Sequence, residues 1–315
     1  MSPTPDAQHK TSIKPENTAK PSISVIVVTY ASEDTVRACL ESILNSAKHS
    51  GAKVEVIVVD NASPDGTVAT VREHFPMVRL IAYHENLGYA KAINVGLKES
   101  RGDYVLILNP DCILSSDAIH QLVSFAESNN RIGIIGPMLL NRDGTLQPSG
   151  RRAQKLIHIV LSLIGLHSAV EAFLLGKGRD YKAASDVEEV SGAAMFCRRK
   201  ALAEAGGMDE RFFLYFEDVD LCARVRRLGW RISYCPYAKV MHLHRSSTSK
   251  VGELARRSFY ASACIYLRKH CGSAVIPFKL LAIVRESIIA ILKLLTHPLA
   301  DCKERLRTLV HIIRS

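Results

Sequence analysis

The residues best suited to chemistry lie in the segment 206–222, where five carboxylates fall within fourteen residues and adjoin an apolar run at 212–216. Anions among apolar groups cost free energy unless they are paired, bind a metal or take part in a reaction. Glu217 and Asp218 stand where the apolar periodicity of a helix ending at Gly229 begins, so the pattern predicts a carboxylate at a helix N-terminus. An N-cap followed by solvated acids is the simpler alternative. The five carboxylates are Asp209, Glu210, Glu217, Asp218 and Asp220.

Two further carboxylates, Asp60 and Asp111, follow apolar runs of strand length. Because such runs alternate with amphipathic helices, the sequence predicts an α/β fold whose mostly parallel central sheet has helices on both faces. Ligands bind such sheets at the carboxyl ends of the strands, where both carboxylates are expected; ordinary strand-end turns are the alternative. The predicted strands are 23–30, 54–59, 78–82, 104–108 and 132–135.

The sequence lacks the phosphate-binding signatures of two common nucleotide-binding folds. No Gly-x-Gly-x-x-Gly pattern follows the first strand and no Walker loop is present, which disfavours a Rossmann dehydrogenase and a P-loop NTPase. An α/β nucleotide-binding protein of this kind has to neutralise phosphate by another route. A divalent metal held by carboxylates is the expected route, because phosphate oxygens supply further hard ligands.

The chain of 315 residues carries a net charge of +10, with 47% apolar and 23% charged residues. This composition indicates a globular protein with an anionic partner, such as a nucleotide, a phospholipid surface or a nucleic acid. A nucleic-acid-binding protein is disfavoured, because no reading module is recognisable and the basic residues are dispersed. The eight cysteines include no Cys-x-x-Cys pair, which points to a reducing, cytoplasmic compartment and not to a zinc site or a disulfide framework.

Six short motifs follow one another along the chain: SVIVVTY (24–30), VDNASPDGT (59–67), NLGYA (86–90), LNPD (108–111), VSGAAM (190–195) and FEDVDL (216–221). Over residues 22–272 the chain resembles family 2 glycosyltransferases of the GT-A fold, and in particular the bacterial rhamnosyltransferase-like enzymes of cell-surface polysaccharide assembly. Each motif alone is weakly specific, but all six occur in the family's order. The resemblance implies a nucleotide-diphospho-sugar transferase fold and an enzyme that transfers a sugar.

The resemblance implies a binding site for a nucleotide-diphospho-sugar donor. Thr29 and Tyr30 would line the nucleobase pocket, and Asp60 would hydrogen-bond the base or the ribose. A further set of residues would shape the loop and helix beside the nucleotide: Asn86, Gly88 and Asn94.

A divalent cation, Mg²⁺ or Mn²⁺, is also implied by the resemblance. Asp111 stands at the last carboxylate of the family's DxD motif and would hold the metal on the diphosphate, whereas Asn109 replaces the first carboxylate. The family places a His-x4-Ser pattern after a late strand, which His242 and Ser247 match. His242 would then reach the metal or the diphosphate, with His244 as the competing histidine.

On the acceptor side, the resemblance implies that Asp218 is the general base. Gly192 would let the acceptor approach closely, and Glu217 would belong to the acceptor site. The resemblance, with one metal-holding carboxylate and one base, also implies an inverting transfer onto a saccharide or lipid-linked acceptor. Rhamnose is the sugar that the subgroup usually transfers. A catalytically inactive, membrane-docked scaffold of the same fold is the alternative, and retention of both Asp111 and Asp218 argues against it.

The predicted organisation has three parts. Residues 1–20 lack a signal peptide and form a disordered lead-in. Residues 21–272 form the glycosyltransferase domain, with an apolar insertion at 151–185, and residues 273–315 form basic amphipathic helices.

The stretch 274–299 is apolar but interrupted by charges, so no window offers about 18 clean apolar residues for a membrane span. A helix lying in the membrane interface fits better, which predicts a cytoplasmic protein held peripherally on the inner face of the cytoplasmic membrane. Packing of this helix on the domain or on a second subunit is the alternative.

Overall fold

A computed structural model describes residues 20–163, 166, 169–170, 173–174, 180–243, 252–294 and 299–314 of the chain. Each of the five predicted strands is present in it. The strands are β1 (Ser22–Thr29), β2 (Lys53–Asp60), β3 (Arg79–Ala82), β4 (Tyr104–Leu108), β5 (Cys112–Leu114), β6 (Ile132–Leu140), β7 (Leu146–Gln147), β8 (Gly150–Arg151), β9 (Ser185–Val187), β10 (Glu189–Val190), β11 (Ala194–Arg198) and β12 (Arg231–His242).

The central sheet follows the order β3-β2-β1-β4-β11-β6-β12-β5. Its first four strands are parallel, and β12 is parallel to β6. Strand β11 runs antiparallel to both β4 and β6, and so joins the two parallel parts. The predicted α/β fold with a mostly parallel central sheet is therefore confirmed.

Strand β1 shows why the apolar runs are continuous. All of its residues except the first are buried, because helices cover both faces of the sheet. Ile26 and Val28 enter one hydrophobic cluster, whereas Val25 and Val27 enter the other. The helices are α1 (Glu33–Ser50), α2 (Thr67–His74), α3 (Tyr89–Glu99), α4 (Ala118–Glu127), α5 (Leu156–Leu163), α6 (Arg199–Ala205), α7 (Glu217–Arg227), α8 (Gly252–Cys271), α9 (Val275–Leu294) and α10 (Leu299–Arg314), with a short 3-10 turn at Gly272–Ala274.

Helix α7 begins at Glu217, where the sequence pattern places a helix start, and Gly229 follows its end with a φ of +86°. The two residues before the helix, Tyr215 and Phe216, have φ values of +69° and +65°. Non-glycine residues seldom adopt this left-handed conformation, and such strain concentrates at functional sites. The chain therefore enters α7 through an unusual and sharply defined turn.

Helix α8 packs against this turn and holds it in place. The Phe216 ring lies 5.6 Å from the Phe259 ring and 5.4 Å from the Tyr266 ring. The Ser262 hydroxyl donates a 2.8 Å hydrogen bond to the carbonyl oxygen of Leu214. Apolar packing and a backbone contact together hold the turn against α8, whose residues lie beyond the motif-bearing part of the sequence.

Helices α9 and α10 are joined to α8 through the fully buried Glu286. Its carboxylate accepts hydrogen bonds from the Tyr260 hydroxyl at 2.7 Å, from Arg285 at 2.6 Å and from Arg305 at 2.5 Å. The opposite face of α9 exposes a row of large apolar side chains. Among the described residues, no helix is long and apolar enough to cross a membrane. The exposed row consists of Ile276, Leu280, Val284, Ile288, Ile291 and Leu292.

Candidate active site

A cavity of about 660 Å³ opens at the carboxyl ends of the central strands. Tyr30, Asn61 and Asn109 follow the ends of β1, β2 and β4 and line it, while His242 closes β12. Because the carboxyl ends of parallel strands meet at one edge of the sheet, residues far apart in sequence converge there. A cavity of this size is typical of a site for a small-molecule ligand.

Asp60 and Thr29 are not among the described residues that line this cavity. They are register partners on β2 and β1, and the Thr29 hydroxyl donates a 2.7 Å hydrogen bond to the Asp60 carboxylate. The same carboxylate accepts from the Ser63 amide at 2.9 Å and from its hydroxyl at 2.5 Å. Asp60 therefore holds the loop after β2 in place, and its direct contact with a base or ribose stays a prediction.

Asn86 lines the cavity together with Asn61, a residue that the sequence analysis did not single out. The Asn61 side chain donates to Asn86 Oδ1 at 2.8 Å and accepts from the Leu87 amide at 2.8 Å. Gly88 has a φ of +84°, and a Cβ atom there would lie 2.8 Å from Phe213. Glycine is thus required for this loop to approach the turn that leads into α7.

Asn94 lies outside the set of described cavity-lining residues. Its amide nitrogen donates to the carbonyl oxygen of Met208 at 2.9 Å and to Glu210 at 2.9 Å, and its oxygen accepts from the Met208 amide at 2.9 Å. These contacts engage both N–H donors and the oxygen of the Asn94 amide. Its place in the structure is therefore that of a tie between α3 and the segment before α7, and the predicted role beside the nucleotide is an indirect one.

Asp111 and His242 meet because of strand pairing. His242 is the register partner of Cys112 across β12 and β5, which brings its Nε2 atom to 3.3 Å from Asp111 Oδ1. On the other side of the ring, His242 Nδ1 lies 3.2 Å from Gln147 Oε1. The amide nitrogen of Gln147 lies 3.1 Å from the same Nδ1 atom, so the Gln147 amide can pair with either tautomer of the ring; with the hydrogen on Nδ1, the lone pair of Nε2 faces Asp111, as in a metal-ligating histidine.

The residues around Asp111 suit a divalent cation that prefers oxygen and nitrogen. Asp111, Cys112 and His242 form a group with potential ligand atoms within 4.8 Å of one another. Burial, and then the charge of Asp111, raises the pKa of the Cys112 thiol well above its usual value, so it stays protonated and is a poor ligand. Asp111 and His242 remain, a hard donor set consistent with Mg²⁺ or Mn²⁺. The competing His244, like Ser247, lies outside the described residues.

Asp218 lies on the cavity wall at the first turn of α7. Its Oδ2 atom accepts a 2.8 Å hydrogen bond from the Gly192 amide, and its Oδ1 atom accepts from the Val219 amide at 2.8 Å. A Cβ atom at Gly192 would lie 3.1 Å from Asp218 Oδ2, so this glycine allows the two segments to touch. The carboxylate is thereby fixed at one orientation while still facing the cavity.

Glu217 also lines the cavity, yet it is buried, and its Oε2 atom has no hydrogen-bond partner among the described residues. Burial, with a smaller contribution from Asp218, raises its pKa from 4.5 to about 8. At neutral pH this carboxyl group is therefore largely protonated and able to donate a hydrogen bond. The neighbouring Tyr89 hydroxyl donates to Asn109 Oδ1 at 2.9 Å, and burial, then Glu217, raises the pKa of Tyr89 well above its usual value.

Of the other three acids of the segment, Asp209 and Asp220 are engaged by cations, and Glu210 accepts from the Asn94 amide. Asp220 is fully buried and contacts Arg224, Lys269 and His270, each at 2.7 Å. Although burial opposes the charged form, hydrogen bonds from His270, Lys269 and Arg224 lower the pKa of Asp220. Asp209 is likewise paired, with Arg211 at 2.6 Å and Lys269 at 2.7 Å. Of the acids near the turn, the two that line the cavity are thus Glu217 and Asp218.

Sequence comparisons place this geometry in a family. The profile of Glycosyl transferase family 2 matches residues 24–206. An N-acetylglucosaminyl-diphospho-decaprenol L-rhamnosyltransferase of Mycobacterium tuberculosis is 31% identical over 270 residues, which cover 79% of this chain and 85% of that protein. A low-salt glycan biosynthesis hexosyltransferase of Haloferax volcanii is 27% identical over 235 residues, covering 73% of this chain and 69% of the relative.

Solved structures show the same fold at much lower sequence identity. GalNAc-T7 with UDP, GalNAc and Mn²⁺ superposes with a TM-score of 0.55 and 13% identity, covering 81% of this chain and 51% of that chain. A mannosyltransferase from Pyrobaculum calidifontis in complex with GDP-Man and Mn²⁺ gives a TM-score of 0.55 and 16% identity, with coverage of 94% and 87%. The chain belongs to glycosyl transferase family 2, within its rhamnosyltransferase-like subgroup, and is a glycosyltransferase of the GT-A fold.

Proposed function

We propose that this glycosyltransferase moves a sugar from a nucleotide-diphospho-sugar to a lipid-linked saccharide, with inversion and with the help of Mg²⁺ or Mn²⁺. The observation that supports this most directly is that Asp111 with His242, and Asp218 with Gly192, line one cavity. One pair suits a cation-bound diphosphate and the other suits an acceptor hydroxyl. A scaffold that had lost catalysis would have no need to keep both.

The donor occupies the end of the cavity formed by Tyr30, Asn61, Asn86 and Asn109. Asp111 and His242 would hold the cation. When bound, the cation neutralises the charge that develops on the leaving diphosphate. Rhamnose is the sugar moved by the Mycobacterium tuberculosis relative, and we infer a deoxyhexose or hexose of this kind for the present chain.

The Asp218 carboxylate acts as the general base. It takes the proton from the acceptor hydroxyl while the acceptor oxygen bonds to the anomeric carbon, and the bond from that carbon to the diphosphate oxygen breaks with its electron pair. In this proposal the acceptor attacks the face of the sugar opposite the leaving diphosphate, so the configuration inverts. The Gly192 amide keeps the carboxylate oriented, and the protonated Glu217 donates a hydrogen bond to the acceptor.

The acceptor is inferred to be lipid-linked because the relative of 31% identity is named for an N-acetylglucosaminyl-diphospho-decaprenol acceptor. The exposed apolar row of α9 then supplies a membrane contact, since an amphipathic helix buries such a face in the lipid interface. The net charge of +10 favours the anionic cytoplasmic leaflet. The enzyme is thus proposed to work peripherally on the inner face of the cytoplasmic membrane.

Asp218→Asn should leave nucleotide binding unchanged and lower the turnover number by about 10²-fold or more, because the amide oxygen can keep the Gly192 contact, at the loss of the one from Val219, but the amide is not a base. Transfer is measured as the nucleoside diphosphate that is released from each of a panel of nucleotide sugars when a lipid-linked acceptor is present. Asp143→Asn, at an exposed loop, serves as the matched control. Full activity in Asp218→Asn would assign the base to another carboxylate.

Asp111→Ala should weaken binding of nucleoside diphosphate by about tenfold or more and remove its dependence on added Mn²⁺, because the cation loses a protein ligand. Calorimetric titration of the nucleotide at several Mn²⁺ concentrations measures both effects. Asp143→Ala is the control. Unchanged metal dependence in Asp111→Ala would show that the LNPD motif is not the metal motif.

Glu217→Gln should flatten the pH dependence of stability. From pH 4.5 to about 8 the folded protein keeps a proton that the unfolded chain releases, so the unfolding free energy of the wild type falls as the pH rises through this range. The neutral amide removes this loss, which amounts to at most about 3 kcal/mol between pH 5 and 8. Urea unfolding at both pH values measures it.

Groups that titrate in both proteins, such as His158 and Glu189, cancel in this comparison. Glu73→Gln, on the exposed face of α2, should behave like the wild type. An identical pH slope for Glu217→Gln and the wild type would mean that Glu217 is ionised in the folded protein, and the proposed hydrogen bond from its carboxyl group to the acceptor would then be wrong.

Replacing Leu280, Ile288 and Ile291 together by Gln should reduce binding to vesicles of phosphatidylethanolamine and phosphatidylglycerol by about tenfold or more, because three apolar side chains no longer enter the lipid interface. Vesicle flotation measures the bound fraction. Met77→Gln alters a side chain of similar exposure outside the row and should change nothing. Wild-type protein that stays off vesicles but forms dimers disrupted by the triple variant would make this row a subunit interface instead.

A further inference from the structure

Part of the cavity lining, called the second arm below, comes from elements other than those that line the donor end. The side chains there are contributed by α5, by the segment after it and by α8, and most are apolar. One cation, Arg151 of β8, also lines the cavity. The apolar members that matter most are Ile159, Val170, Leu174 and Phe259.

Arg151 is held by a buried carboxylate. It pairs with Glu189 across the small sheet formed by β8 and β10, and its Nε atom lies 3.1 Å from Glu189 Oε2. The other oxygen of Glu189 accepts from the Gln154 amide at 2.7 Å. The ion pair uses Nε, so among the described residues no contact occupies the two terminal nitrogens of the guanidinium, and 28% of the side chain stays exposed.

Arg151 lies on the base side of the cavity. Burial disfavours its charged form, but the negative charges of Glu189 and then Asp218 raise the pKa of Arg151 above its usual value. The Asp218 carboxylate is therefore close enough to interact electrostatically with Arg151. Strand β10 also leads within two residues to Gly192, the partner of Asp218. An anion bound by Arg151 would therefore belong to the acceptor and not to the donor.

We propose that Arg151 binds the phosphate group of an isoprenoid diphosphate acceptor, while the apolar arm receives the first isoprene units. This inference rests on the proposed function, because it assigns a subsite for the acceptor of that reaction. Guanidinium groups bind phosphate through parallel N–H donors, and an isoprenoid chain needs an apolar wall. The arm offers both, because Arg151 pairs with the strand that leads to Gly192, the partner of Asp218, and the other lining side chains of the arm are mostly apolar.

The ion pair with Glu189 is compatible with this role. Burial raises the pKa of Glu189 from 4.5 to about 7, so near neutral pH part of the Glu189 population is uncharged and leaves the charge of Arg151 to a ligand. The desolvated, partly enclosed position also strengthens a contact between guanidinium and phosphate relative to one at the open surface.

The proposal is tested by binding without donor or metal. Farnesyl diphosphate, farnesol and inorganic pyrophosphate are titrated by calorimetry into the full-length protein in buffer containing EDTA, which prevents a metal-assisted contact at Asp111. Wild-type protein should bind farnesyl diphosphate about tenfold or more tightly than either farnesol or pyrophosphate. Arg151→Gln should weaken farnesyl diphosphate binding about tenfold, equivalent to about 1.4 kcal/mol, and leave farnesol binding unchanged.

Two further variants separate a binding role from a structural one. Glu189→Gln frees Arg151 from its carboxylate and should keep or increase the affinity for farnesyl diphosphate. Arg226→Gln breaks the neighbouring ion pair with Glu188, which is on the outside of the same region, and should have no effect. Equal losses in Arg151→Gln and Glu189→Gln would make the pair structural and overturn the proposal.

Two other outcomes also overturn it. Farnesyl diphosphate binding that does not depend on Arg151 removes the phosphate contact, and pyrophosphate binding as tight as that of farnesyl diphosphate removes the isoprenoid arm. Because no sugar transfer is measured, these outcomes leave the proposed function to be judged by the Asp218 and Asp111 variants. Conversely, Arg151-dependent binding in a protein without transferase activity would keep the lipid subsite and reject the reaction.

Discussion

The contacts of the buried Asp220 hold the N-terminal end of α7 in place. One carboxylate receives Arg224 from its own helix and both Lys269 and His270 from α8. Breaking a buried ionic contact leaves an uncompensated charge, which is far more costly than the contact is stabilising. The network therefore tolerates only one placement of α7 against α8. Glu217 and Asp218, in the same first turn of the helix, take their positions from it.

The turn into α7 complements this constraint. Tyr215 and Phe216 adopt left-handed backbone conformations, which are unfavourable for side chains of this size. Packing of Phe216 on α8 and the contact of Gly88 with Phe213 hold the turn in place. The loop at Gly88, the turn into α7 and helix α8 thus form one continuous support. A carboxylate that must meet an acceptor hydroxyl within hydrogen-bond distance needs such rigidity.

Much of this arrangement was predictable from the sequence, but only where local pattern decides the outcome. Continuous apolar runs such as 23–30 indicate buried parallel strands, and the start of α7 follows from its periodicity. The local pattern offers Asp220 only Arg224, four residues further on, because the other two cations that pair with it, Lys269 and His270, lie about fifty residues away. For the same reason, the contacts of Asn94 with Met208 and Glu210 do not follow from the sequence. Asn61, Gln147 and Arg151 become notable only when the fold shows which groups they face.

The support that α8 gives to the turn has a consequence for how the protein can be divided. The family profile ends at residue 206, before the turn, before α7 and well before α8. A boundary drawn there, or after the last strand at His242, would separate Asp220 from Lys269 and His270 and would remove the aromatic floor under Phe216. The segment that the family profile matches is thus smaller than the part of the chain whose contacts hold α7 in place. Exchange of C-terminal segments between such enzymes would have to carry the matching face of α7 along with α8.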